Sequence, residues 1–244
     1  DPFIYKTTDY GKTWTSIVNG IPKSPLSYAH VVREDPVRRG LLYAGTENGL
    51  YVSWDDGANW QPLQNNLPHA PVYWITVQER FSDLVVATYG RGFWILDDIT
   101  SLRSMPEIAA KDAHLFAPRA AYRFRAVEAR WAMGEDPTAG DDPPYGASLN
   151  FWLKDATKDS VTLTFSDAAG VTWRTMKVTG KAGLNRAWWD LQSDRTRETK
   201  VRTAALHQPP AGIGYDAKQA PWINRYPMTV PPGVYTVKLT AGTQ

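Results

Sequence analysis

Two eight-residue stretches, TTDYGKTW at 7–14 and SWDDGANW at 53–60, share the pattern Ser/Thr-x-Asp-x-Gly-x-x-Trp, with Asp9 and Asp55 in register 46 residues apart. The flanks agree as well: IYKTTDYGKTW at 4–14 lies over LYVSWDDGANW at 50–60. A pattern that fixes four positions twice imposes the same local geometry twice. An aspartate carboxylate accepts main-chain N–H groups a few residues on, glycine supplies a left-handed backbone angle, and an indole covers the turn. Thr7, Asp9, Gly11 and Trp14, with Ser53, Asp55, Gly57 and Trp60, are therefore expected to build strand-to-strand turns.

A weaker third copy follows, because YAGTENGLYVSWDD at 43–56 aligns with VATYGRGFWILDDI at 86–99 and places Gly92 43 residues after Gly49. Alternation and turn residues mark strands at 28–34, 41–45, 50–54 and 60–63, then at 73–79, 84–88 and 92–97. In the last unit, Thr100 and Arg103 replace the glycine and tryptophan of the turn. A period of this size with four strands per unit belongs to propeller blades.

The repeat resembles the Asp-box of BNR-repeat proteins, a group that includes sialidases, sortilin-type receptors and secreted bacterial propellers. The closing ATYGRGFWILDDI is similar to the last blade of the bacterial sortilin-like or "glycosyl hydrolase, BNR repeat" proteins. The resemblance implies the final two to three four-stranded blades of a β-propeller over 1–104 and a secreted or periplasmic location. It also implies that the box sits away from the central pocket. The remaining blades, on a longer parent chain, are then the expected partners, with a peptide or carbohydrate as ligand.

Residues 105–147 read as a connector ending in the linker-like GEDPTAGDDPPYG at 134–146. Strand-like runs at 148–154, 160–167, 171–178, 184–191 and 234–240 predict a small sandwich over 148–244. DAAG at 167–170 reads as a hairpin turn, and QPPAGIGYDAKQAPW at 208–222 as irregular surface chain. GLNRAWWDL and PPGVYTVKL resemble the immunoglobulin-like domains, including the flagellar-hook-capping type, that end many secreted bacterial proteins. The expected fold class is all-β throughout.

The chemistry-bearing residues are sparse. A formal net charge of +2 gives no field that would imply nucleic acid. PRAAYRFRAVEAR at 118–130, as a strand, puts Arg123 and Arg125 on one solvated face. No apolar run reaches membrane-spanning length, and no cysteine can ligate zinc. His30, His69, His114 and His207 lack metal-ligand spacing, so neither a metal nor a cofactor is expected. Adjacent acids such as Asp55-Asp56 and Asp97-Asp98 point to opposite faces of a strand and do not form the pair that glycoside hydrolysis needs. No catalytic residue is assigned.

Tyr89-Gly90-Arg91-Gly92 offers an unobstructed guanidinium, and Asp98 follows the last strand, so Tyr89, Arg91 and Asp98 are the candidate binding residues. Trp54, Trp74, Trp94, Trp188 and Trp189 are expected in cores. The reading is a non-catalytic binding or scaffold portion of such a propeller protein. The rivals are a glycoside hydrolase whose catalytic residues lie in other blades, and a receptor gripping peptide ends.

Overall fold

The computed structural model describes residues 1–124, 140, 142–157, 160–196 and 226–242. Most of the linker-like stretch at 134–146, the run 208–222, Arg125 and His207 lie outside them. The chain divides into two compact units, Asp1–Ala110 and Lys111–Gln244, both made of antiparallel strands.

The first unit is a succession of sheets in chain order. A two-stranded sheet pairs β1 (Tyr5–Lys6) with β2 (Thr15–Ser16). A four-stranded sheet follows, of β3 (Ala29–Glu34), β4 (Leu42–Thr46), β5 (Gly49–Ser53) and β6 (Gln61–Pro62). The third has three strands, β7 (Val72–Gln78), β8 (Asp83–Thr88) and β9 (Phe93–Leu96). Each is a meander, the arrangement that short turns between alternating strands produce.

Period-two alternation decides how the sheets stack. In the second sheet Val31, Tyr43, Leu50 and Val52 share one face, and Val32, Leu42, Ala44 and Tyr51 the other. The latter face joins Ile4, Ile21 and Trp60 in one apolar cluster beneath the first sheet. The former packs with Val72, Ile75, Leu84 and Val86 of the third sheet. The approach is close: a Cβ on Gly45 would stand 2.5 Å from a methyl of Val72, so β4 needs a glycine there.

After β9 the repeat breaks. Ile99–Ser104 forms a 3₁₀ turn and Met105–Ile108 a single helical turn, α1, at the start of the expected connector. Pro106 fits the first turn of a helix, whose N–H groups have no intrahelical acceptor. Arg103, standing where the preceding repeat has Trp60, sends Nε to Asp35 at 3.0 and 3.2 Å from its two oxygens and Nη1 to Ser82 Oγ at 3.0 Å. Asp35 is buried, and its Oδ1 also accepts the N–H groups of Val37 and Arg38, so the ion pair is hydrogen-bonded on both sides.

The second unit holds two three-stranded sheets. β10 (Ala113–Leu115), β11 (Ala147–Leu153) and β14 (Gly183–Trp189) form one in the order β10-β11-β14. β12 (Val161–Ser166), β13 (Thr172–Val178) and β15 (Thr236–Thr240) form the other in the order β13-β12-β15. Leu149, Phe151 and Trp189 from the first meet Leu163, Phe165 and Val237 from the second in one core. β10 falls within the expected connector. Residues 118–124, in the expected connector, form no strand, and Arg123 donates to the Val230 carbonyl.

Candidate functional site

The two box hairpins are hydrogen-bonded alike, position for position. Thr7 Oγ1 donates to Asp9 Oδ1 at 2.9 Å and accepts Gly11 N–H at 2.8 Å; Ser53 Oγ donates to Asp55 Oδ1 at 2.8 Å and accepts Gly57 N–H at 2.9 Å. Asp9 Oδ1 accepts Thr13 N–H and its Oδ2 accepts the Thr13 hydroxyl, while Asp55 receives Asn59 through the same two contacts. Tyr10 and Asp56, with φ of 57° and 61°, precede Gly11 and Gly57, with φ of 85° and 86°. The bonds from Thr13 hold the Asp9 carboxyl down at about 2, and those from Asn59 and Ser53 lower Asp55 against a desolvation that raises it. Both carboxylates spend their acceptor capacity on their own loops.

The indoles differ. Trp14 lies over Gly11, donates to its carbonyl and remains 60% exposed. Trp60 is buried and donates to Ile17 O, stapling the second sheet to the chain after β2.

The opposite ends of the sheets carry another arrangement. β3 and β7 each contain a bulge at the second residue, where pairing shifts between Ala29 and Val31 and between Val72 and Trp74. The extra residues are His30 and Tyr73. A bulge re-aims its side chain, and these two rings stack on each other across neighbouring sheets, 4.2 Å between centroids and 21° between planes. Tyr28 meets His30 edge-on at 4.9 Å, and Tyr89 lies 5.7 Å from Tyr73. Four rings thus form a row at the ends of β3 and β7, and Tyr28, Tyr73 and Tyr89 are 41, 48 and 72% exposed.

Hairpins frame this row. Glu47, between β4 and β5, bonds its N–H to Tyr28 O; Tyr89, between β8 and β9, bonds its own to Pro71 O, the matching position one sheet on. His30 Nε2 and Glu47 Oε2 stand 2.7 Å apart. The hydrogen bond from His30, and then the Tyr28 phenol beside it, hold the Glu47 carboxyl below its ordinary range; that carboxylate in turn raises Tyr28. Arg91 sits at the tip of the longer hairpin and gives its carbonyl to Trp94 Nε1. Its guanidinium is exposed and bonds to none of the described residues.

The three candidate binding residues are therefore divided. Tyr89 joins the row and Arg91 stands beside it on the same hairpin. Asp98 lies past the other end of β9, buried, with φ of 52°, where its carboxylate caps the 3₁₀ turn through Thr100 N and Oγ1. Tyr28, His30, Glu47 and Tyr73 escaped the sequence reading. Laying AHV at 29–31 over VYW at 72–74 would have shown two ring-bearing residues at one repeat position.

In the second unit, an open cleft is lined by Phe116, Arg123, Trp189, Val230 and Tyr235. Arg123 and the Tyr235 hydroxyl are bonded to the Val230 and Pro231 carbonyls, and the remaining lining is mostly apolar. Among the described residues no group of His, Asp or Glu is placed to hold a metal, and no helix is long and apolar enough to cross a membrane. Compared with family models, curated proteins and solved structures, the chain matches none.

Proposed function

We propose that this chain is a non-catalytic binding and scaffold portion of an exported Asp-box β-propeller protein, and that its ligand seat is the row Tyr28, His30, Tyr73 and Tyr89. The observation that carries this is the pair of bulges that throw His30 and Tyr73 together at one repeat position. A bulge gives up a ladder position, and here two consecutive sheets give it up to present rings at the surface. The box acids, saturated by their own loops, supply the scaffold.

The chemistry of the seat fits a carbohydrate. Flat, half-exposed rings take the C–H face of a sugar, the Glu47 carboxylate accepts from hydroxyls, and Arg91 donates to them. A screen of the chain against oligosaccharides and a peptide library, followed by calorimetry, tests the reading. Tyr73→Ala and Tyr89→Ala are each expected to weaken sugar binding by about 1 kcal/mol, several-fold in Kd. Asp9→Ala leaves the affinity unchanged. Peptide binding lost in the same two variants would keep the seat and change its ligand; binding indifferent to both would overturn the proposal.

A further inference from the structure

The two hairpins beside the aromatic row begin alike. Glu47 and Tyr89 each give an N–H to the chain entering the sheet, and the threonine before each gives its hydroxyl to a glycine carbonyl, Thr46 to Gly49 at 3.1 Å and Thr88 to Gly92 at 2.7 Å. The shorter hairpin then closes on itself. Thr46 Oγ1 accepts Asn48 N–H, and Gln64 Oε1 stands 2.8 Å from where a Cβ on Gly49 would be.

The longer hairpin stays open. The N–H groups of Gly90, Arg91 and Gly92 bond to none of the described residues, and a Cβ on either glycine would meet nothing within 4 Å. Gly90 and Gly92 have φ of 78 and 71°, while Arg91 between them lies outside the left-handed region. Turn backbone of alternating hand aims successive N–H groups at one side and makes a concavity that receives anions. The exposed Arg91 guanidinium adds a full positive charge at the same tip. Arg33, on β3 with His30, is committed elsewhere: it lies over the Trp74 ring, 4.1 Å from the centroid, and Trp74 is 56% exposed and not in the core position expected of it.

We propose that residues 90–92 seat a tetrahedral oxyanion, the sulfate or phosphate monoester of an acidic oligosaccharide, on three backbone N–H groups and the Arg91 guanidinium. This rests on the reading of the adjoining row as a sugar seat, and adds the group that decides which sugars it takes. Three N–H groups address three terminal oxygens, whereas the two coplanar oxygens of a carboxylate are met by the guanidinium fork alone. The row also has a direction. Glu47, ionised, stands at its Tyr28 end and Arg91 at its Tyr89 end, so the ester belongs on the sugar against Tyr89 and a second ester at the other end is repelled.

An array of neutral oligosaccharides, each printed beside its monosulfate, monophosphate and uronate forms, tests this with the intact chain. Sulfate or phosphate forms are expected to bind about tenfold more tightly than the neutral parent, by an advantage that shrinks as salt rises. The tighter of those two arms names the ester. Arg91→Ala is expected to bring the ratio towards one. The amide proton resonances of Gly90, Arg91 and Gly92 are expected to move in titrations with the esterified sugar and to stay in place with the neutral parent, a readout that needs no variant to fold. Neutral and esterified forms binding alike, uronate forms binding best, or tip amides unmoved by the ester would each overturn the anion seat and leave the sugar seat standing. Binding of no sugar at all would overturn the sugar seat and this proposal with it, so the two failures are distinguishable.

Discussion

Ser53 and Thr7 make the same hydrogen bonds from different depths, and the difference sets what each is worth. Ser53 is fully buried, so removing its hydroxyl strands the Gly57 N–H away from water, whereas the Gly11 N–H beside partly exposed Thr7 can turn to solvent. Ser53→Ala is expected to cost about 1–2 kcal/mol and Thr7→Ala well under that, read from urea midpoints at constant slope. At this scale the box acids were legible in the sequence because their chemistry is local: Asp9 and Asp55 reach no farther than four residues for the bonds that define the turn. Arg103 was not legible. Its partner Asp35 lies 68 residues away, and a substituted box position announces the loss of the indole and not what the new side chain will grip.

Two glycines of the same positive φ separate backbone strain from crowding at the scale of the hairpin. Gly57 has φ of 86°, and a Cβ there would stand 2.5 Å from Ile17 Cδ1; Gly90 has φ of 78° and open space around it. Gly90→Ala should cost about 1 kcal/mol, the strain alone, and Gly57→Ala more than that, since the Ile17 side chain must also turn or shift. Thermal unfolding of the two variants checks the ordering. The strands themselves were legible, since alternation of Val, Leu, Tyr and Trp between turn residues placed them within a residue or two, from Ala29–Glu34 to Thr236–Thr240. β10 was missed because three residues carry no period, and the bulges because a bulge exists only relative to the partner strand. DAAG was read as a plain turn, yet Asp167 accepts Ala169 N–H, Val171 N–H and Trp173 Nε1, so an acid and an indole again fasten a hairpin in the second unit.

Acid acts on the whole molecule through carboxylates in both units. Asp9, Glu47, Asp55 and Asp167 are all held below their ordinary pKa by hydrogen bonds to the ionised form. A group depressed on folding stabilises the native state above its unfolded pKa, and the contribution disappears as pH falls through the folded value. For Asp9 that window runs from the ordinary 3.8 down to about 2. Melting temperature is therefore expected to hold steady from neutral pH to about 5 and to fall between about 4 and 2, with Asp9→Asn flattening part of the fall. The hairpin carrying Tyr89 and Arg91 has one residue more than the hairpin carrying Glu47, yet β8 and β9 resume the same pairing beyond it that β4 and β5 show. An insertion at that tip is thus absorbed before it reaches the sheet, while the far ends of the first two sheets stay fixed in length by their boxes. A rim of this kind can be lengthened or rewritten, generation after generation, without disturbing the frame that holds it.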